Sequence, residues 1–327
     1  MKLDKLKNKK IIILGFAREG RDVLKFLKKN FPKNEIAIAD EKELKNLEKE
    51  SQDLIRKNKK IEIFLGQGVL KYLKNYDVII KSPGVPYKKI ELYVSGKNII
   101  TTESEIFFDN CKGKIIGITG TKGKSTTSAL IYEILKKEEK NVFLMGNIGI
   151  PVLKFLSKNV TNPIFVYELS SHQLYNLKRS PKVAVFLNVY PEHLDYYKDF
   201  QDYFLAKANI CLHQKKSDFL VYNAKDKIVA NIASKSKAKK IDFNSVKIDE
   251  VINRKDISLK GDFYLQNIKS AIAVARIFKV RDESIEKAIK KFKPLPHRLE
   301  FIGKFKEIDF YNDSLATVLQ ATIRAIE

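Results

Sequence analysis

A chain of 327 residues exceeds what one ordinary hydrophobic core holds, so two or three domains are expected. With 44% hydrophobic and 31% charged residues the chain reads as globular. No apolar run approaches the ~20 residues of a membrane span, nothing resembles a signal peptide, and the unpaired Cys111 and Cys211 fit a reducing cytoplasm.

The net charge of +23 raises the question of nucleic acid. The excess is almost all lysine, spread over every segment, while arginine, which dominates base and phosphate recognition, is scarce. Anionic small molecules account for that charge, and nucleic acid is not an expected partner.

In chain order, residues 9 to 15 form a buried-strand pattern, followed by Gly15-Phe-Ala-Arg-Glu-Gly20 and an amphipathic helix bearing Val23, Leu24, Phe26 and Leu27. A second strand, Glu35 to Ala39, ends in Asp40. Glycines at the first turn and an acid closing the second strand make a nucleotide-binding arrangement, although the spacing is not G-x-G-x-x-G and a plain packing unit fits equally well. Asp77 to Ile80 is another strand, left by the rigid turn Lys81-Ser-Pro-Gly-Val-Pro86, and Ile99 to Thr101 closes this first domain. Thr102 and Glu105 stand in capping-box spacing at a helix start.

The centre of the chain is Lys114 to Thr127: an apolar strand, a glycine-rich turn from Gly120 to Gly123, and a helix from about Lys124 to Lys137. A helix start offers unpaired N–H groups and a positive dipole end, and glycines let the backbone close around a phosphate. Lys124 adds a point charge, and the Ser125 hydroxyl is placed to ligate magnesium. The strict G-x-x-x-x-G-K-[ST] spacing fails by one position, because Ile118 fills the leading glycine slot.

Further strands run from Asn141 to Met145, from Ile164 to Leu169 and from Lys182 to Val189. Alternation with helices implies a parallel sheet, whose ligands collect at strand carboxyl ends. The Gly120 turn, Glu168 and His193 all sit there. In the helix Asp199 to His213, Lys207 falls within an apolar stripe. A desolvated lysine is partly neutral and can react with carbon dioxide to give a metal-binding carbamate. On the residues alone, a buried stem with its ammonium in water is the favoured reading. Asp218 to Asn223 is expected as a strand, residues 234 to 240 as a solvated lysine-rich loop, and Leu265 to Phe278 and Glu283 to Phe292 as helices.

Gly120-Thr-Lys-Gly-Lys-Ser-Thr, Glu168-Leu-Ser-Ser-His-Gln-Leu, Asn188-Val-Tyr-Pro-Glu-His-Leu-Asp and Ala206-Lys-Ala-Asn, in this order, resemble the Mur ligases, ATP-dependent amide-bond-forming enzymes of peptidoglycan precursor synthesis. Ser82-Pro-Gly-Val, Gly146-Asn-Ile-Gly-Ile-Pro, Pro296-His-Arg-Leu-Glu and Asn312-Asp-Ser-x-Ala-Thr317 resemble the branch that adds D-glutamate to UDP-N-acetylmuramoyl-L-alanine. A diamino-acid-adding relative and a non-catalytic module holding UDP-sugar and ATP are the alternatives.

The resemblance implies an α/β fold. A Rossmann-like UDP-substrate domain would span 1–102 and a P-loop central domain with a mostly parallel sheet 103–297. Residues 298–327 would begin a third Rossmann-like domain that is otherwise absent from the sequence. It implies ATP and Mg2+, with Gly120, Thr121, Lys122, Gly123, Lys124, Ser125, Thr126, Asn267, Arg298 and Asp313 around the nucleotide. Ser125, Glu168, His193 and a carbamylated Lys207 would hold metal, with Lys124, Glu168, His193 and Lys207 catalytic. Phe16, Ala17, Arg18, Asp40, Ser82, Pro83 and Gly84 would face the UDP end of the substrate, and Asn147, Ser170, Ser171 and His172 its muramoyl-alanine end. A monomer in the cytoplasm is expected. Two departures stand out: Phe263-Tyr264 replaces the family's His-Asn pair, and Leu315 stands where the family has lysine.

Overall fold

The computed structural model describes residues 1–138, 141–156, 160–259, 261–314 and 323, without the side chains of residues 262 and 263. Leu315 and the helix expected around Ala321 and Ile326 lie outside the described residues, as does the Phe263 side chain. The chain groups into two compact units. One holds Met1–Lys112 with Gly149–Val160 and Ser171–Arg179; the other holds Gly113–Ile148, Thr161–Ser170 and the chain from Ser180 onward.

The first unit alternates strand and helix: β1 (Lys10–Leu14), α1 (Arg18–Asn30), β2 (Glu35–Asp40), α2 (Lys49–Lys57), β3 (Glu62–Leu65), β4 (Val78–Lys81), the short α3 (Tyr87–Ile90), β5 (Ile99–Thr101) and α4 (Glu103–Asn110). Its all-parallel sheet has the order β3-β2-β1-β4-β5. A parallel sheet covered on both faces needs near-continuous apolar strands, and Ile11 to Leu14 are all buried. Strand order reverses beside β1, so the turns after β1 and β4 flank one crevice. Gly15 there has φ +88, and a Cβ on it would fall 2.6 Å from that of Ser82, so the two turns meet only because residue 15 is glycine. α4 opens as its spacing predicts, the Thr102 side chain accepting from the Glu105 N–H.

In chain order the remaining elements are β6 (Lys114–Thr119), α5 (Lys124–Lys137), β7 (Val142–Gly146), β8 (Ile164–Glu168), the short α6 (Ser171–Leu174), β9 (Val183–Phe186), α7 (Phe200–Leu212), β10 (Phe219–Tyr222), α8 (Lys227–Lys235), β11 (Lys239–Asp242), α9 (Asp262–Ile277), α10 (Asp282–Lys291), β12 (Glu300–Phe305) and β13 (Ile308–Asn312). All but α6 belong to the second unit. Its six-stranded parallel sheet runs β11-β10-β9-β6-β8-β7, with β6 between β8 and β9. α5, α9 and α10 enclose the core through Leu130, Ile134, Ile268, Ile272 and Ile285, all 0% exposed. β12 and β13 form an antiparallel ribbon with Phe301, Phe305 and Ile308 exposed. No described helix is long and apolar enough to cross a membrane.

Two expectations are corrected in the second unit. Residues 234–240 are solvated at their lysines, as expected, but only 236–238 lie outside an element. They contain the end of α8, capped by Asp226 and buried through Val229, Ile232 and Ala233, and the start of β11. β11 is an edge strand, and exposed lysines at 239 and 240 suit an edge rather than mark a loop. The strand expected to reach Val189 stops at Phe186, because residues 187–190 leave the ladder to brace the turn after β6.

Candidate active site at the strand tips

In the second unit β6 delivers the chain through Gly120–Gly123 into α5. Gly123 has φ +86, and a Cβ there would lie 2.5 Å from Asn267 Oδ1 on α9. That same oxygen is 3.2 Å from the Thr127 hydroxyl, which donates to it. Lys124 Nζ donates to the carbonyls of Gly120 at 2.9 Å and Thr121 at 3.0 Å. Lys207 Nζ, from α7, donates to the same Gly120 carbonyl at 3.0 Å. Two lysine amines thus converge on one oxygen. Lys207 is only 2% exposed, so it does not reach water. Burial, then the Lys124 charge, pushes its pKa well below the ordinary lysine value. Burial also lowers Lys124, against the pull of Glu168 and Glu192.

Two carboxylates answer them. Glu168 ends β8 and is 1% exposed. Its Oε1 accepts from Asn147 Nδ2 at 2.8 Å, and its Oε2 has no hydrogen-bond partner among the described residues. Glu192 accepts from Lys122 Nζ at 3.0 Å. Burial alone would raise its carboxyl, but Lys122 and Lys124 hold it below the usual range. The Ser125 hydroxyl accepts from Arg298 at 3.1 Å, and buried Thr126 follows in the first turn of α5. The Arg298 carbonyl accepts from the Tyr264 hydroxyl at 2.9 Å, and Asp313 accepts from the Leu299 N–H at 3.1 Å. Burial and the Asp313 charge push Tyr264 up to about 12.

Lys122, Lys124 and Arg298 against Glu168 and Glu192 leave a surplus of positive charge at a helix start, which suits a polyphosphate. A buried carboxylate with an unpaired oxygen, near a serine hydroxyl, fits an oxygen-seeking cation such as magnesium. Among the described residues no group of three or more His, Cys, Asp and Glu forms a metal cage by itself. His193 adopts φ +58 with a half-exposed ring. It lies 3.8 Å from the Glu192 carboxylate and beside the Tyr203 ring.

In the first unit, Asp40 closes β2 and accepts from the Phe16 N–H at 2.7 Å and the Lys42 N–H at 2.9 Å. Ser51 donates to the Phe16 carbonyl at 2.6 Å, fixing that turn from behind. Ala17 is exposed and Arg18 partly so at the start of α1. Ser82, Pro83 and Gly84 follow β4, with the Val85 N–H closing the turn on the Ser82 carbonyl at 3.1 Å. Ser171 and His172 open α6 in this unit, whereas Asn147 and Ser170 belong to the other.

Three residues that sequence reasoning passed over organise the second unit's site. Asn188 Oδ1 accepts from the N–H groups of Thr121 at 3.1 Å and Lys122 at 2.8 Å, while Nδ2 donates to the Lys122 carbonyl at 3.0 Å. Tyr203 places its hydroxyl 3.0 Å from that of Thr121, and its ring lies 4.6 Å beneath Lys207 Nζ. Glu192 is the third. Asn188 and Glu192 stand in the run that carries His193, and Tyr203 is one helical turn from Lys207, so each was within reach of the motif reading.

A family model, "Mur ligase middle domain", matches residues 118–290. The UDP-N-acetylmuramoylalanine--D-glutamate ligase of Bacillus cytotoxicus is 35% identical over 98% of this chain and 74% of its own length. The chain belongs to the Mur ligase family. The enzyme of the same name from Geobacillus kaustophilus is 33% identical, again over 98% of this chain and 74% of its own length. Among solved structures, the fold is similar to that of a Neisseria UDP-N-acetylmuramate:L-alanyl-gamma-D-glutamyl-meso-diaminopimelate ligase. That match has a TM-score of 0.59 and 16% identity, covering 88% of this chain and 99% of that one. MurF ligase from Thermotoga maritima, solved in complex with ADP, aligns at TM-score 0.55 and 19% identity over 98% of this chain and 72% of that one. Mur ligases are ATP-dependent enzymes that use magnesium, which agrees with the donor set at the β6 tip.

Proposed function

We propose that this Mur ligase adds D-glutamate to UDP-N-acetylmuramoyl-L-alanine in peptidoglycan precursor synthesis. The observation that carries the reading is the meeting of Lys124 and Lys207 on the Gly120 carbonyl, with Glu168 and Glu192 facing them. The likeness to D-glutamate ligases over 98% of the chain supports the choice of substrates. The substrate carboxylate would attack the γ-phosphorus of ATP, releasing ADP and leaving an acyl phosphate. The amine of D-glutamate then attacks the acyl carbon, inorganic phosphate departs, and the amine proton passes to solvent.

The electrostatic task is to bring a carboxylate up to a triphosphate. Lys124 and the N-terminal dipole of α5 neutralise that repulsion, with Lys122, paired with Glu192, in the same turn. Asn267, Arg298 and Asp313 line the nucleotide side. Magnesium would add charge neutralisation between the phosphates and the carboxylate; Ser125, Glu168, His193 and Lys207 would hold it.

Lys207 would serve as a carbamate. Its neutral nitrogen attacks carbon dioxide, one N–H proton leaves to solvent, and a carboxylate-like group replaces an amine that burial keeps from charging. Phe16 to Arg18, Asp40 and Ser82 to Gly84 would take the UDP end of the substrate, with Asn147 and Ser170 to His172 at its muramoyl-alanine end. In this reading residues 1–102 form the sugar-nucleotide domain, 103–297 the ATP domain, and 298–327 the beginning of a third. The enzyme works as a cytoplasmic monomer, which light scattering checks. The functional test is phosphate release from ATP with UDP-N-acetylmuramoyl-L-alanine, with and without D-glutamate. Release that ignores both compounds would sink the proposal.

A further inference from the structure

The first unit contains a buried lysine that the proposed chemistry does not use. Lys81 ends β4 and is 1% exposed. Its Nζ donates to the carbonyls of Ser82 at 2.9 Å and Val85 at 2.6 Å, the two ends of the turn that holds Pro83 and Gly84. It also sits 4.7 Å above the Tyr87 ring of α3, which packs against Tyr175. Beneath it is a small void lined by Gly15, Glu19, Ser82 and Glu103.

The charged groups around this amine come from three elements. Glu19 of α1 supplies the attractive charge, with Arg18 beside it. Gln173 donates to Glu19 Oε1 at 2.7 Å, and Oε2 has no hydrogen-bond partner among the described residues. Glu103 of α4 is 2% exposed, and burial and the neighbouring Glu19 and Asp22 raise it well above the ordinary carboxyl range. Tyr87 is likewise pushed up, to about 12, by burial. Burial raises the Glu19 carboxyl as well, and Glu19 is the acid whose charge acts on Lys81.

A lysine with two donors spent on the turn is not needed as a hydrophobic filler, and burying it is costly. What it supplies is a cation fixed directly behind Ser82–Gly84, where the turn meets the glycine turn after β1.

We propose that Lys81 is a positioning residue for the diphosphate of the sugar nucleotide. It clamps the Ser82–Val85 turn through two carbonyls and sets a positive charge under it, without touching the substrate. The inference rests on the reading that this crevice takes the UDP end of the substrate.

Burial draws Lys81 down to about 8. The sign follows: its charge is present below that pH and is lost as pH rises through it, so anion affinity should fall in the same interval. Calorimetric binding of UDP-N-acetylmuramoyl-L-alanine to wild type is expected to weaken about tenfold between pH 7 and 9.5. In Lys81→Met the affinity at pH 7 should drop about tenfold or more and the pH step should vanish, with ADP binding retained. A lysine with a purely structural part would leave no such step in the wild type. A flat wild-type profile, or a Lys81→Met protein that keeps the step, overturns the assignment. Should Lys81→Met not fold, the wild-type profile and Lys81→Gln, which keeps a donor but never a charge, decide the matter in the same way. Failure of wild type to bind the sugar nucleotide at any pH, while still binding ADP, overturns the substrate reading itself and this inference with it.

Discussion

The two units use one architectural device, a parallel sheet with turns at its carboxyl edge, and in both a buried lysine is bonded to turn carbonyls; they differ in how many charges gather there. At the β6 tip the lysines stay close together: Lys124 and Lys207 share one carbonyl, and Lys122 pairs with Glu192. At the β1 and β4 tips a single lysine, Lys81, is bonded to backbone, and burial with the neighbouring Glu19 and Asp22 raises the Glu103 carboxyl. In the proposed function the β6 tip compensates phosphate charge during a reaction, while the β1 and β4 tips would only hold a diphosphate. Charge exposed to the reacting atoms lowers a barrier; charge placed behind a turn sets affinity.

The sharpest way to break this comparison is Lys124→Ala. It should cut kcat/KM by roughly a thousandfold or more, read as phosphate release, while sugar-nucleotide affinity stays near wild type. Lys207→Ala should be close behind, and added bicarbonate should not restore it, because no amine remains to take up carbon dioxide. Normal turnover in either variant would remove that lysine from the chemistry.

Asn188→Ala should have the next largest effect. It removes the side-chain hydrogen bonds to the Lys122 N–H and carbonyl, while the Thr121 N–H keeps the Asn188 backbone carbonyl; each lost bond costs about 0.5–1.5 kcal/mol. The KM for ATP should rise by about tenfold or more, with little change in that for the sugar nucleotide. Equal effects on both would mean the residue acts on the whole fold and not on the turn.

Glu192→Gln should be the mildest, a change of a few-fold in kcat/KM, because a partly exposed pair is screened by water. The depressed carboxyl of Glu192 implies that its pairing with Lys122 is intact above the ordinary carboxylate range. It is lost only as pH falls through the lowered folded-state value. The acid limb of the pH–rate profile should therefore shift in this variant and in no way resemble the alkaline step expected from Lys81.

Much of this was open to a reader of residues. The glycine turn at 120–123, the helix from Lys124 and the cap at Thr102 are local signals, written in adjacent positions, and the structure follows them. The meeting of the Gly120 turn and Glu168 was expected from strand ends, because a parallel sheet gathers its carboxyl edge in one place; Lys207, on a helix, entered only through the family resemblance. What stayed hidden depends on distant partners. Whether Lys207 snorkels or is sealed in turns on α7 packing beneath the Gly120 carbonyl, which no helical period encodes. The lysine-rich residues 234–240 look like a loop until β10 supplies a ladder for β11. Asn188 and Glu192 stood in a quoted motif without a role, since which side chain of a turn points inward is decided by backbone geometry. Lys81 was placed only at the start of the rigid turn after β4, and nothing adjacent in the sequence shows that its amine is buried.

Asp226 carries a wider implication. One of its carboxylate oxygens accepts from the first N–H groups of α8, and the other accepts from Val189, the neighbour of Asn188. A change at 226 would loosen a helix and, two residues removed, the brace on the phosphate turn. In a saturation screen for loss of growth, this surface-loop acid should score beside the nucleotide-contacting positions, although no ligand would touch it.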